Sequence, residues 1–315
     1  VDSETGKTIP YEGAGFEIYN ADGEKMTMMY SYPSPTAIDV FYTNSEGYLI
    51  TPEVLPYGEY SLVEVQAPYG YVLDKTPVSF SVSSENAEEE NSLTIVKVEK
   101  QNTAQKGKIS VHKTGDIFTS VATASSAYTN ENGEMIVNPT TYTPVFANGD
   151  LSGAVFQITA KEDIVTLDGT IRAYAGDVVS EITTDENGYA ETEPLYLGKY
   201  EVREIKAPYG YVLNNEPKDV ELTYAGQEFE VRDTVNTAFE NEYQSVRISL
   251  SKVMESDEQF GIYGNDYYTS VRFGLFAAED ITAADGSVIP ADGLISEVSL
   301  DENMTAKFDV QIPFG

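Results

Sequence analysis

The stretch Tyr60-Ser-Leu-Val-Glu-Val-Gln-Ala-Pro-Tyr-Gly-Tyr71 decides how the chain is read, because it returns as Tyr200-Glu-Val-Arg-Glu-Ile-Lys-Ala-Pro-Tyr-Gly-Tyr211. Alternation of apolar and polar residues predicts a strand in each copy, closed by a Pro-Tyr-Gly turn. Tyr60, Leu62 and Glu64 share one face of the first copy, and Tyr200, Val202 and Glu204 share it in the second. An inward apolar face that ends in a glutamate needs a reason, since carboxylates are rarely buried without a partner or a task.

The repeat extends outward from this stretch. Gly13-Ala-Gly-Phe16 matches Gly153-Ala-Val-Phe156 at the same offset of 140 (153 − 13 and 204 − 64). A third copy starts late: Phe273-Gly-Leu-Phe-Ala-Ala-Glu-Asp-Ile281 echoes Phe156-Gln-Ile-Thr-Ala-Lys-Glu-Asp-Ile164, and Asp285-Gly echoes Asp168-Gly. Pro313-Phe-Gly315 corresponds to Tyr196-Leu-Gly198, so the third copy stops ahead of its own glutamate. Strand signals such as Phe16-Glu-Ile-Tyr and Val246-Arg-Ile-Ser-Leu alternate with Asp-Gly and Asn-Gly turns, and no amphipathic stretch of about ten residues suggests a helix. The class is all-β, with three tandem modules over 1–104, 105–244 and 245–315 joined by short linkers into a semi-rigid rod. The second module carries an insertion at about 116–150 and the first a segment at 20–42, read as long loops or extra hairpins.

Bulk composition narrows the function. Nineteen basic against 52 acidic residues give a net charge of −33 over 315 residues, which disfavours nucleic acid and anionic membranes as partners. With no Cys there are neither disulfides nor thiolate metal sites, and the single His112 excludes multi-histidine centres and argues against Ser-His-Asp catalysis. No metal or cofactor is expected. No run reaches the ~18 apolar residues of a membrane span, and no signal peptide is visible, so an exported protein would contain this chain as an internal piece. Asp185-Glu-Asn-Gly188 lacks the ligand spacing of a calcium loop and reads as a β-turn.

Three polar residues recur at fixed places. In Lys108-Ile-Ser-Val-His-Lys113 the apolar face of Ile109 and Val111 ends in Lys113; in the third module Val246, Ile248 and Leu250 end in Lys252. His112 falls on the face opposite Lys113 and is expected to be exposed and inert. Asn241 is in phase with Phe239 and Tyr243, and Asn102 with Val96 and Val98, where Lys100 interrupts the pattern. Asn102 precedes Lys113 by 11 residues (113 − 102), and Asn241 precedes Lys252 by 11 (252 − 241), so each Asn ends one module and each Lys opens the next. If first and last strands pair, Lys113, Glu204 and Asn241 meet inside the second module. Burial lowers a lysine pKa and raises a glutamate pKa, which favours a neutral amine and a protonated carboxyl. Attack of the amine on the Asn carboxamide would expel ammonia and leave an amide cross-link, helped by effective molarities on the order of 10⁵–10⁸ M. The alternative is that the lysines guard strand edges and Glu204 makes an ordinary buried ion pair.

The Gly-Ala-x-Phe and Tyr-x-x-x-Glu-x-x-Ala-Pro-Tyr-Gly-Tyr elements, with the terminal Asn, resemble the Cna B-type (SpaA-like, prealbumin-like) domains of Gram-positive surface adhesins and pilins. The resemblance implies immunoglobulin-like β-sandwiches with a Lys–Asn isopeptide bond and a catalytic Glu. By position it assigns Lys113, Glu204 and Asn241 to the second module. It assigns Glu64 and Asn102 to the first, whose lysine would lie just before Val1, and Lys252 alone to the third; Lys7 sits after the strand and is left unassigned. It further implies an extracellular, cell-wall-anchored stalk that turns over no substrate and reaches a host or neighbouring-cell protein or glycan through other domains. A pilin shaft subunit is one alternative, although Tyr32-Pro-Ser-Pro35 and Asn138-Pro-Thr-Thr-Tyr-Thr-Pro144 lack the lysine a polymerising motif would supply. A ligand-binding module using the two insertions is the other.

Overall fold

The two glutamate strands are the central members of two sheets with the same strand order. The computed structural model describes residues 1–313 apart from 32–33, 84, 86–87, 91–92, 245, 254–256 and 262–270. Tyr32, Pro33, Phe314 and Gly315, which figure in the motifs above, lie outside the described residues. In the first repeat the order is Phe41–Tyr42, Gly15–Asn20, Gly58–Gln66, Val78–Val82. In the second it is Val178–Thr183, Val155–Ala160, Gly198–Lys206, Lys218–Leu222. The registers coincide as well: Phe16 faces Glu64 and Phe156 faces Glu204, each beside a β-bulge. No α-helix occurs among the described residues, and no helix is long and apolar enough to cross a membrane.

A second sheet is built on Lys106–Ala124, a strand of 19 residues. Its first half pairs in parallel with Val231–Asn241, so the opening and closing strands of the second repeat are neighbours. Between them and the glutamate sheet lies a core of Ile109, Val111, Phe156, Ile158, Val202 and Phe239, all at most 2% exposed. Two-faced strands of this kind bury one side and leave the other to solvent, which is the alternation seen in the sequence.

Of the two readings of the insertion at 116–150, the hairpin is the one found. The lysine strand continues to Ala124 and returns as Thr141–Asp150 over ten paired positions, with a small hairpin, Ala127–Thr129 with Met135–Val137, between the two. This hairpin reaches the third repeat, where Thr141 bridges Leu294 and the sheet continues into Leu294–Ser299 and Arg272–Phe276. In the first repeat the segment 20–42 holds a small hairpin, Met28–Tyr30 with Thr36–Ile38, and Met28 enters the core beside Ile18, Phe41 and Tyr60.

Candidate functional site

Lys113 sits where its strand changes partner. Its N–H donates to Gly188 O at 2.7 Å and its carbonyl accepts from Leu151 N at 2.9 Å, while Val231–Asn241 occupies the other edge. Gly188 closes the Asp185-Glu-Asn-Gly turn, in which Asp185 Oδ1 accepts from the N–H groups of Asn187 and Tyr189, both at 2.9 Å. The turn therefore holds the lysine backbone. Gly188 has φ +72°, and a Cβ there would stand 2.4 Å from Lys113 O. Gly115 is a second close approach: its Cβ would be 2.5 Å from Asn241 O. The sequence marks Gly188 as a turn residue without showing that it abuts the lysine strand, and for Gly115 the Lys-Thr-Gly spelling is the available signal. We expect Gly188→Ala to destabilise the second repeat by about 2 kcal/mol through left-handed strain and displacement of the lysine strand. Urea unfolding would measure it, and a loss no larger than that of an exposed Gly133→Ala control would refute the positioning role.

The three predicted side chains converge. Lys113 and Glu204 are 0% exposed and Asn241 is 2% exposed. Asn241 Nδ2 donates to Glu204 Oε1 at 2.8 Å, and Asn214 N donates to Glu204 Oε2 at 3.1 Å. Among the described residues, the buried side-chain atoms without a hydrogen-bond partner are Lys113 Nζ and Asn241 Oδ1. A buried ammonium without a partner is strongly disfavoured. Burial pulls Lys113 down to about 8, against the opposing attraction of Glu204 and Glu240. Burial likewise pushes Glu204 upward, opposed by Lys113 and by the Asn241 hydrogen bond. Both shifts move the pair toward neutral amine and neutral acid. Phe239, tilted against Phe156 at 4.7 Å between ring centroids, closes the site on its apolar side.

The first repeat reproduces the acidic half. Glu64 is 0% exposed and accepts from Asn102 Nδ2 at 2.9 and 2.7 Å and from Asp74 N at 3.1 Å. Asp2 bridges Asn102 in parallel, as Gly115 pairs with Asn241. Asp2 thus holds the place of Gly115, and the place of Lys113 falls on the residue immediately ahead of Val1. Lys100, two residues before Asn102, takes the position of Phe239 and sends its ammonium to Asp74 Oδ2 at 2.7 Å and Thr76 O at 2.8 Å. That pair explains the break in the apolar pattern: the stem is buried and the charge is matched at the rim, which brings Asp74 down to about 2.

Glu64 is pushed up to about 6 by burial, against the hydrogen bonds from Asp74 N and Asn102 and the attraction of Lys100. An acid with a raised folded pKa stabilises the fold below its unfolded value and loses that contribution as pH rises through the folded one. The first repeat is therefore expected to lose about 2 kcal/mol of stability between pH 4.5 and 6 on this account. Glu64→Gln, which keeps an acceptor for Asn102, should remove that slope relative to the parent in paired pH-dependent urea titrations. Identical slopes would overturn it.

Two expectations differ from what is found. Lys252 follows the strand Ile248–Ser251 and is exposed, as is Leu250 at 37%; among the described residues that strand pairs with Thr305–Phe308 and is covered by no second sheet. His112 is half-buried: its ring stacks on Tyr189 at 4.2 Å and its Nε2 lies 2.8 Å from Asp150 Oδ1. It tethers the base of the hairpin.

With this geometry in hand, similarity to known proteins can be placed. The family model for the SpaA prealbumin-like fold domain matches residues 1–98 and 146–237. The trypsin-resistant surface T6 protein of Streptococcus pyogenes is 30% identical over 94 residues, 30% of this chain and 16% of that protein. Among solved structures, the Bacillus anthracis TIE protein aligns over 97% of this chain and 41% of its own, with a TM-score of 0.52 and 22% identity. The Bacillus cereus major pilin BcpA aligns over 73% of this chain and 95% of its own in one structure, with a TM-score of 0.24 and 19% identity, and over 74% and 95% in another, with a TM-score of 0.23 and 18% identity. The chain thus spans well under two thirds of the T6 and TIE proteins.

Proposed function

Because the chain belongs to the SpaA prealbumin-like domain family, we propose that it is a stalk segment of a Gram-positive surface protein, stiffened by a Lys113–Asn241 isopeptide bond. The observation that carries this reading is the pair of unpartnered buried atoms, the lysine amine and the asparagine carbonyl oxygen, together with the buried glutamate that the asparagine touches.

The chemistry balances without any added reagent. The neutral Lys113 amine attacks Asn241 Cγ, forming a C–N bond. The protonated Glu204 gives its proton to Nδ2, the nitrogen it already touches at 2.8 Å, and takes up the proton released at Nζ, so it ends as it began. The C–Nδ2 bond breaks and ammonia leaves, so an amine and a primary amide become a secondary amide plus NH₃. Phe156 stands opposite Glu204 and Phe239 opposite Lys113, and this aromatic pair keeps water from competing. The reaction occurs once per molecule, so the chain is a structural protein with a built-in maturation step and no turnover. Contact with a host or neighbouring-cell protein or glycan is assigned to other parts of the full protein, outside the membrane and at the cell wall.

Intact-mass measurement tests this directly. The purified chain should be lighter than its sequence by one ammonia, and a protease digest should contain a branched peptide joining Lys113 to Asn241. A full sequence mass would refute the bond.

The pilin-shaft alternative lacks a lysine motif for polymerisation in the sequence, and the receptor-loop alternative needs the insertion to be free. The docking of that insertion on the third repeat favours the stalk reading.

A further inference from the structure

The contacts between repeats follow one plan at both boundaries. In the second repeat, Ile164–Val165 and Ile171–Ala173 form a short hairpin whose tip is Asp168-Gly169. In the third, Ile281–Thr282 and Val288–Ile289 form the same hairpin with Asp285-Gly286 at its tip. Each tip touches the preceding repeat just downstream of its lysine position. Thr5 lies three residues past Asp2, and Phe118 three past Gly115, the equivalent position. Thr5 Oγ1 donates to Asp168 Oδ2 at 2.7 Å; Asp285 N donates to Thr119 O and Ala284 N to Phe118 O, both at 3.1 Å.

The same placement is made with opposite chemistry. At the first boundary the grip is ionic. Arg172 donates to Asp2 Oδ2 at 2.9 Å and to Glu4 Oε2 at 2.8 Å, Lys7 Nζ donates to Thr170 Oγ1 at 2.9 Å, and Asp2 is 1% exposed. Behind it, Gln105 is buried at 1% with its carboxamide fully used: Nε2 donates to Gly226 O and Phe229 O, and Oε1 accepts from Ala225 N. At the second boundary Ile289 replaces Arg172 and is 0% exposed. Ala277, Ile289 and Ile295 pack there against Phe118, Val121 and Tyr142 of the long hairpin, and Val121 N donates to Ser287 Oγ at 2.8 Å.

We propose that the Asp-Gly hairpin of each repeat is a clasp that grips the post-lysine segment of the repeat before it, and that the insertion at 116–150 is the extended half of such a clasp, an intramolecular splint. Two neighbouring domains joined by a short linker ordinarily move against each other unless their interface is extensive and apolar. The second boundary has that apolar interface and a sheet running through it. The first has a desolvated ion pair, which is strongly destabilising to break by removing one partner. The inference does not require the Lys113–Asn241 bond.

The native absence of Cys lets paired spin labels report each boundary. Glu59→Cys with Glu162→Cys spans the first, and Glu162→Cys with Glu302→Cys the second; all three sites are exposed. Double electron–electron resonance on the full chain should give one narrow distance peak for each pair. Arg172→Ala should broaden the first and leave the second narrow; Phe118→Asp should do the reverse. Tyr142→Ala, which removes one contact without burying a charge, should broaden the second pair to a lesser degree, and one lost ammonia in each variant reports that the second repeat still folds. If the bond reading fails, cooperative urea unfolding takes over that control and the distance test stands unchanged. Broad distributions in the parent chain, or widths that ignore the boundary substitutions, would overturn the proposal.

Discussion

Glu204→Gln should yield a chain whose mass equals its sequence, with Lys113 and Asn241 both unmodified. Gln keeps the volume of Glu and an acceptor for Asn241 Nδ2, but it cannot carry a proton between the amine and the leaving nitrogen. It separates chemistry from packing. The bond would close a loop of 128 residues (241 − 113). By analogy with disulfides, closure of a loop this long contributes about 5 kcal/mol, so the folding equilibrium of the second repeat should fall by between three and four orders of magnitude, about tenfold per 1.4 kcal/mol. Urea unfolding and protease survival both read that loss. Lys113→Ala should match it in mass. A Glu204→Gln chain that still loses ammonia would remove the glutamate from the reaction.

A lysine placed immediately ahead of Val1 should create a second cross-link, to Asn102. The register fixes the position: Asp2 bridges Asn102 as Gly115 pairs with Asn241. Asn102 N already donates to Val1 O at 2.9 Å, and Ser3 N to Asn102 O at 2.9 Å, so the backbone needed to present that lysine is in place. Glu64 is buried and holds Asn102 with both oxygens. The extended chain should lose two ammonia molecules, and Glu64→Gln should return it to one. A loop of roughly 100 residues gives a stabilisation of about 4.7 kcal/mol in the first repeat, read by its unfolding midpoint. Loss of a single ammonia would mean that the register alone does not make a reactive site.

Much of this was legible from the chain because the determinants are local and repeated. The period-two face ending in Glu64 or Glu204 gave both the strand and the anomaly, and the 11-residue Asn-to-Lys spacing marked the module edges. The identity of Asp185-Glu-Asn-Gly188 as a turn was equally plain. What stayed hidden depends on partners distant in sequence. Nothing around Thr141 announces that it bridges Leu294, and Asp2 reads as an ordinary surface acid until Arg172, 170 residues on, is brought beside it. Lys252 ends an alternating strand as Lys113 does, yet it is exposed, and among the described residues no closing strand pairs beside it. The exposed appearance of His112 failed for a similar reason, since Tyr189 and Asp150 arrive from elsewhere in the chain.

The parallel pairing of Lys106–Ala124 with Val231–Asn241 has a mechanical corollary. Tension applied at the two ends of the second repeat shears these strands along their length, loading their hydrogen bonds together. Once Lys113 and Asn241 are fused, the shortest covalent route through the repeat skips residues 114–240 altogether. The whole splint lies within that skipped segment. Stretching would then be resisted by one amide and flexing by the hairpin, so either could be altered by mutation without compromising the other.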